Sequence, residues 1–103
     1  MPTLAPTFAT EARFRKDYAD LTAERKARFQ KTVLEQFVPD LQAGRFRPGL
    51  RVKRVQSVPG VYEMTWAPDG RATWQYGEEQ RPGTPHVIWR RVGTHAILDP
   101  GPA

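Results

Sequence analysis

This sequence predicts an α+β domain: a helical hairpin packed on one face of a curved antiparallel β-sheet, in the order β-α-α-β-β-β. Three observations predict it. Apolar side chains recur at helical spacing between Thr10 and Gly44. Residues 61–76 alternate with period two on either side of Pro68-Asp69-Gly70. A second β-like run, Pro85 to Val92, follows a loop rich in Gly and Pro.

Taken in order, residues 3–8 read as a short strand that Pro2 and Pro6 confine to a sheet edge. Thr10 is a candidate helix N-cap with Glu11 in the first turn. Phe14, Tyr18 and Leu21 then fall at i, i+4 and i+7, on one helical face. Thr22 and Glu24 restart a second helix with the stripe Phe29, Val33, Phe37 and Leu34, Val38, Leu41. Pro39 predicts a kink or an end near Val38, because proline lacks the N–H that an α-helix needs. Gly44 is the expected C-cap.

The segment 45–55 carries Arg45, Arg47, Arg51, Lys53 and Arg54, with no acid between Asp40 and Glu63. Its interleaved Leu50, Val52 and Val55 predict a strand with the cations on a folded surface. In the hairpin, a three-residue loop Pro68-Asp69-Gly70, with Gly taking φ > 0, pairs Trp66 with Ala72, Met64 with Trp74 and Tyr62 with Tyr76. The same register pairs Thr65 with Thr73 and Glu63 with Gln75. It keeps the aromatics on the helix side and leaves Glu63 and Arg71 on an open, basic face. The run 85–92 is more uniformly apolar, as a central strand would be.

The 103 residues suffice for one domain, 1–103, with 100–103 as a loose tail. No stretch approaches the roughly 18 apolar residues of a membrane span, and the N-terminus has no basic region followed by an apolar run. With no cysteine and two histidines outside any metal-ligand spacing, neither a disulfide framework nor a metal or other cofactor is expected. The reading is a cytoplasmic protein. A net charge of +5 and a pI near 10.1 point to a polyanion or an acidic partner.

One carboxylate, one arginine and one histidine on a basic surface can cleave RNA without a metal. The 2′-hydroxyl needs a base, the phosphorane needs cations, and the 5′-oxygen needs an acid. Glu63 is the candidate base and His95 the candidate acid, since imidazole titrates near neutrality. Arg71, with Arg90 or Arg91, is the candidate for charge neutralisation. Each has a plainer explanation alone: a solvated strand Glu, a solubilising Arg, a surface His. His86, beside Pro85, reads as structural. The one-signed run Arg45, Arg47, Arg51, Lys53, Arg54 is more specific, because solvated charge runs ordinarily mix signs; its role would be phosphate contact. Trp66, Trp74, Tyr62 and Tyr76 admit a base-stacking platform, but their strict alternation favours core packing.

The order FRKDYADL, an amphipathic helix ending in Gly44, then FRPGLRVKRVQSVPGVYEMTWAPDGRATWQYG and HVIWRRVGTH resembles the RelE/ParE superfamily of bacterial toxins from type II toxin–antitoxin modules. The likeness covers residues 5–98. It implies an edge strand, a helical hairpin and an antiparallel sheet. RelE-like members are ribosome-dependent mRNA endonucleases, and the YoeB-like branch uses a Glu base, an Arg and a His acid. By that likeness Glu63, Arg71 and His95 take those roles, with Arg51 and Lys53 contacting RNA. Ala96 stands where the YoeB-like pattern has an aromatic. The partners implied are a cognate antitoxin, mRNA and the ribosome. The alternatives are a ParE-like poison of DNA gyrase, which has no use for a proton-transfer pair, and an inactive module that binds nucleic acid or a partner.

Overall fold

The computed structural model describes residues 5–98. Residues 3 and 4 of the expected edge strand and the expected tail 100–103 lie outside them. Strand β1 (Thr7–Thr10) leads into α1 (Ala12–Ala19) and α2 (Ala23–Thr32). A π-helical turn (Val33–Phe37) and α3 (Val38–Ala43) continue the second helix. Then come a 3-10 turn (Pro48–Leu50), β2 (Lys53–Arg54), β3 (Val61–Thr65), β4 (Gly70–Tyr76), β5 (His86–Thr94) and a final 3-10 turn (His95–Leu98).

Local signals explain the helices. Thr22 caps α2 by accepting the N–H of Arg25 at 3.2 Å. The regular α-helix is interrupted just before Val38, as Pro39 predicts, though the chain stays helical through it. The backbone widens one turn earlier, where Val38 N–H reaches the Val33 carbonyl, and Pro39 then sits in the first turn of α3, where its missing N–H costs least. Gly44, at φ +79°, closes α3 in the left-handed conformation. Leu34, expected in the apolar stripe, is 69% exposed.

The strand order is β1-β5-β4-β3-β2. The hairpins are antiparallel, but β1 pairs parallel with β5, so the sheet is mixed rather than purely antiparallel. This follows from chain path: α1–α3 carry the chain from β1 across the sheet to its far edge. β5 is central, as its apolar run implied, with Arg90 as an extra bulged residue between the Thr73–Arg91 and Trp74–Trp89 pairs. Phe14, Phe29, Phe37 and Leu41 from the helices meet Met64, Trp66, Trp74 and Trp89 from the sheet. Phe37 lies edge-on to Trp74 at 4.9 Å between ring centres. Both are fully buried, and truncating such an aromatic costs about 3–5 kcal/mol.

The basic segment is not the strand expected of it. Only Lys53 and Arg54 pair with β3, because Pro48–Leu50 coils into a 3-10 turn and Arg51 takes φ +49°. The second sheet face is not open either. The turn His95–Leu98 folds back over it: Ile97 crowds Gly93, and Leu98 joins a small cluster of Val55, Val58 and Val61. Thr73 beneath is completely buried, and its hydroxyl has no hydrogen-bond partner among the described residues.

Candidate active site

The β3–β4 loop is shifted one residue from the expectation. Gly70 N–H bonds the Ala67 carbonyl at 2.9 Å, and Trp66 N–H bonds the Gly70 carbonyl at 3.1 Å. Pro68 and Asp69 occupy the corners, and Gly70 opens β4. The register therefore differs by two: Glu63 faces Thr73 rather than Gln75, Met64 faces Ala72, and Tyr62 faces Trp74. A shift of two leaves every side chain on its expected face. Gly70 is needed for space, not for positive φ, since a Cβ there would sit 2.7 Å from the Trp66 indole.

That loop assembles a polar cluster at the hairpin tip. His95 follows Thr94, the partner of Gly70. Its backbone N–H bonds the Asp69 carbonyl at 3.0 Å, and its Nδ1 donates to Asp69 Oδ1 at 2.6 Å. The hydrogen bond from His95 holds the Asp69 carboxyl below the usual carboxylate range, with a smaller contribution from the charge of nearby Arg71. An ionised carboxylate only accepts, so Nδ1 carries a proton and Nε2 faces away from Asp69. Arg71 is steadied by the Gly70 carbonyl, which accepts from Nη1 at 3.0 Å.

Glu63 lies on the same face, further from the tip. Arg71 faces Thr65 while Glu63 faces Thr73, so the two are diagonal neighbours, about 7–8 Å apart on an antiparallel pair. Glu63 is not solvated as expected. It is 8% exposed, pinned between β4 and edge strand β2, with Lys53 Nζ 3.6 Å from its Oε1. Arg71 thus stands in register between a carboxylate on one side and a histidine–aspartate pair on the other.

The expected cations divide into two groups. Arg45, Arg51, Lys53 and Arg54 are exposed, the last two on edge strand β2 itself. Arg47 is drawn to Asp40, whose carboxylate accepts its N–H, Nε and Nη2 at 2.8–2.9 Å. That hydrogen bonding lowers the Asp40 pKa and raises that of Arg47. Arg90 and Arg91 point elsewhere. Arg90 reaches Glu11 and Gln75, and Arg91 grips Asp17 through Nε at 2.6 Å. They hold α1 to the β5 bulge. His86 is structural, its Nδ1 2.7 Å from Thr7 Oγ1 across the β1–β5 pair.

No protein-family model matches the sequence, and no curated protein does. Solved structures do. A chain of the E. coli DinJ–YafQ toxin–antitoxin complex aligns at a TM-score of 0.61 and 16% identity, covering 93% of this chain and 99% of that one. A copper-bound mutant toxin from Helicobacter pylori reaches 0.65 at 17% identity, covering 90% and 98%. A chain of the E. coli RelBE toxin–antitoxin complex gives 0.56 at 18%, covering 87% and 96%. The fold is that of the RelE-like toxins.

Within this RelE-like fold, the residue that sequence reasoning missed is Asp69. Flanked by Pro68 and Gly70, it reads as an ordinary turn former, and no local pattern ties it to His95, 26 residues away. The turn after His95 was missed as well. Ile97 and Leu98 are its apolar signal, too short to read as an element. Among the described residues no cluster of His, Asp and Glu could hold a metal ion, and no helix is long and apolar enough to cross a membrane.

Proposed function

We propose that this protein is the toxin of a type II toxin–antitoxin pair, an endoribonuclease that cleaves mRNA on the ribosome by metal-independent acid–base catalysis. The RelE-like fold supports this class. The observation that carries the chemistry is the 2.6 Å contact of Asp69 with His95 beside Arg71.

In the reaction, Glu63 takes the proton of a ribose 2′-hydroxyl, and the 2′-oxygen forms a bond to the adjacent phosphorus. Arg71 neutralises the charge that gathers on the phosphorane oxygens. The bond to the 5′-oxygen breaks, and Nε2 of protonated His95 supplies the proton to that leaving group. The products are a 2′,3′-cyclic phosphate and a 5′-hydroxyl. Asp69 fixes the orientation of the imidazole and turns Nε2 away from itself. Lys53 starts on Glu63, and an incoming phosphate competes for its ammonium, freeing the carboxylate for the hydroxyl. Arg45, Arg51 and Arg54 supply further backbone contacts. An acidic antitoxin segment would suit the same cationic edge.

Single-turnover cleavage of ribosome-bound mRNA tests this reading, alongside pulse labelling of cells that express the chain alone. Cleavage and arrested protein synthesis are expected. Loss of DNA supercoiling with translation intact would overturn it in favour of a gyrase poison.

A further inference from the structure

The four aromatics of the hairpin do not share one fate. Trp66 and Trp74 belong to the core, whereas Tyr76 is 44% exposed and Tyr62 half-buried. They extend the core aromatics outwards: Tyr62 stacks on Trp74 at 5.5 Å, and Tyr76 meets Tyr62 edge-on at 5.6 Å. The Arg54 guanidinium lies over the Tyr62 ring, 5.9 Å from its centre. Core packing accounts for Trp74. It does not account for Tyr76, left half in water against Tyr62, whose ring carries the Arg54 guanidinium.

Position adds to this. Lys53 and Arg54 are consecutive residues of edge strand β2, so their side chains leave on opposite sheet faces. Lys53 faces Glu63, and Arg54 faces Tyr62. A chain of phosphates passing around that edge would meet Lys53 on the face of the candidate base and Arg54 on the face of the tyrosines. Glu78 and Glu79 lie in the loop beyond Tyr76, and Glu79 turns back to accept the Gly83 N–H. The anionic backbone therefore belongs on the β2 side.

We propose that Tyr76, Tyr62 and Arg54 form a stacking subsite for a base of the bound single-stranded RNA, away from the cleaved phosphate. This rests on the nuclease reading and adds to it a base-binding pocket remote from the hairpin tip. Aromatic rings accept any base by its face, and a guanidinium stacks in the same way.

The test uses the full chain, a short fluorescent RNA oligonucleotide, and a strand of equal length made of abasic units. Tyr76→Ala should weaken binding of the natural oligonucleotide by about 5- to 150-fold, the range for one stacked base. Tyr76→Phe should keep parental affinity. On the abasic strand, parent and Tyr76→Ala should bind alike, because only phosphate contacts remain. Equal binding of the natural oligonucleotide by parent and Tyr76→Ala overturns the subsite while leaving the nuclease reading intact. An equal loss on both strands does the same, since it marks Tyr76 as a fold or charge effect. A parent that binds neither strand overturns the subsite, while cleavage of ribosome-bound mRNA decides the nuclease reading separately.

Discussion

Asp69 holds His95 at two points, its carbonyl taking the backbone N–H at 3.0 Å and its carboxylate taking Nδ1 at 2.6 Å. The first bond ties the end of β5 to the β3–β4 loop; the second sets which ring nitrogen is available. One short turn thereby links three strand ends and turns Nε2 away from Asp69. Such a carboxylate–imidazole pair is the arrangement that orients histidines in acid–base sites.

Asp69→Asn should therefore slow cleavage without weakening RNA binding. The amide preserves the shape but removes the anionic acceptor that orients Nδ1. The loss should be smaller than the roughly 10²–10⁴-fold expected when the acid itself is removed. Single-turnover rates beside binding constants would show it; a variant as fast as the parent would reduce Asp69 to a turn residue.

The proposed reacting groups separate by kind of defect. Glu63→Gln and His95→Ala should each lower the cleavage step by about 10²–10⁴-fold while binding persists. Arg71→Ala should also slow it, through lost stabilisation of the phosphorane, with no change in which group limits the pH profile. If Glu63→Gln and His95→Ala both stay as toxic as the parent, the acid–base mechanism is wrong.

The Asp69 carboxyl also has a distinct titration. Its pKa is lowered in the folded protein, so the pair contributes stability that is fully present above the unfolded value of about 3.9. That contribution fades as pH falls through the lowered value. Asp40, held down by Arg47, behaves in the same sense. Carboxyl NMR titration should place both midpoints below the ordinary one, and His95→Ala should return Asp69 towards it. An ordinary Asp69 midpoint in the parent would mean the pairing is not kept in solution.

Much of this was legible in the sequence because it rests on periodicity. The aromatic alternation of 62–76 put each side chain on its true face even with the register off by two, since pleat parity survives an even shift. Gly44 and Thr22 announced their caps through local chemistry alone. What stayed hidden depends on groups distant in sequence. Asp40 and Glu63, the acids that bracket the basic run, fold back onto Arg47 and Lys53. Arg90 and Arg91 read as surface cations because Glu11 and Asp17, which take them up, come from the cap and body of α1, far away in sequence. Glu63 reads as solvated because nothing in residues 95–98 announces a turn that crosses the sheet.

That division among the cations yields two unlike defects. Arg51→Ala with Lys53→Ala should weaken RNA binding and flatten its salt dependence while the fold persists. The slope should fall by about 0.7 for each phosphate of a single strand that is no longer neutralised. Arg91→Ala should do the opposite. It strips Asp17 of a 2.6 Å charged hydrogen bond between largely buried side chains, so it should cost about 1–3 kcal/mol in urea unfolding and leave the salt slope unchanged. Salt titrations of RNA affinity, paired with denaturation curves, separate the two. A flattened slope for Arg91→Ala at parental stability would place Arg91 on RNA rather than on α1.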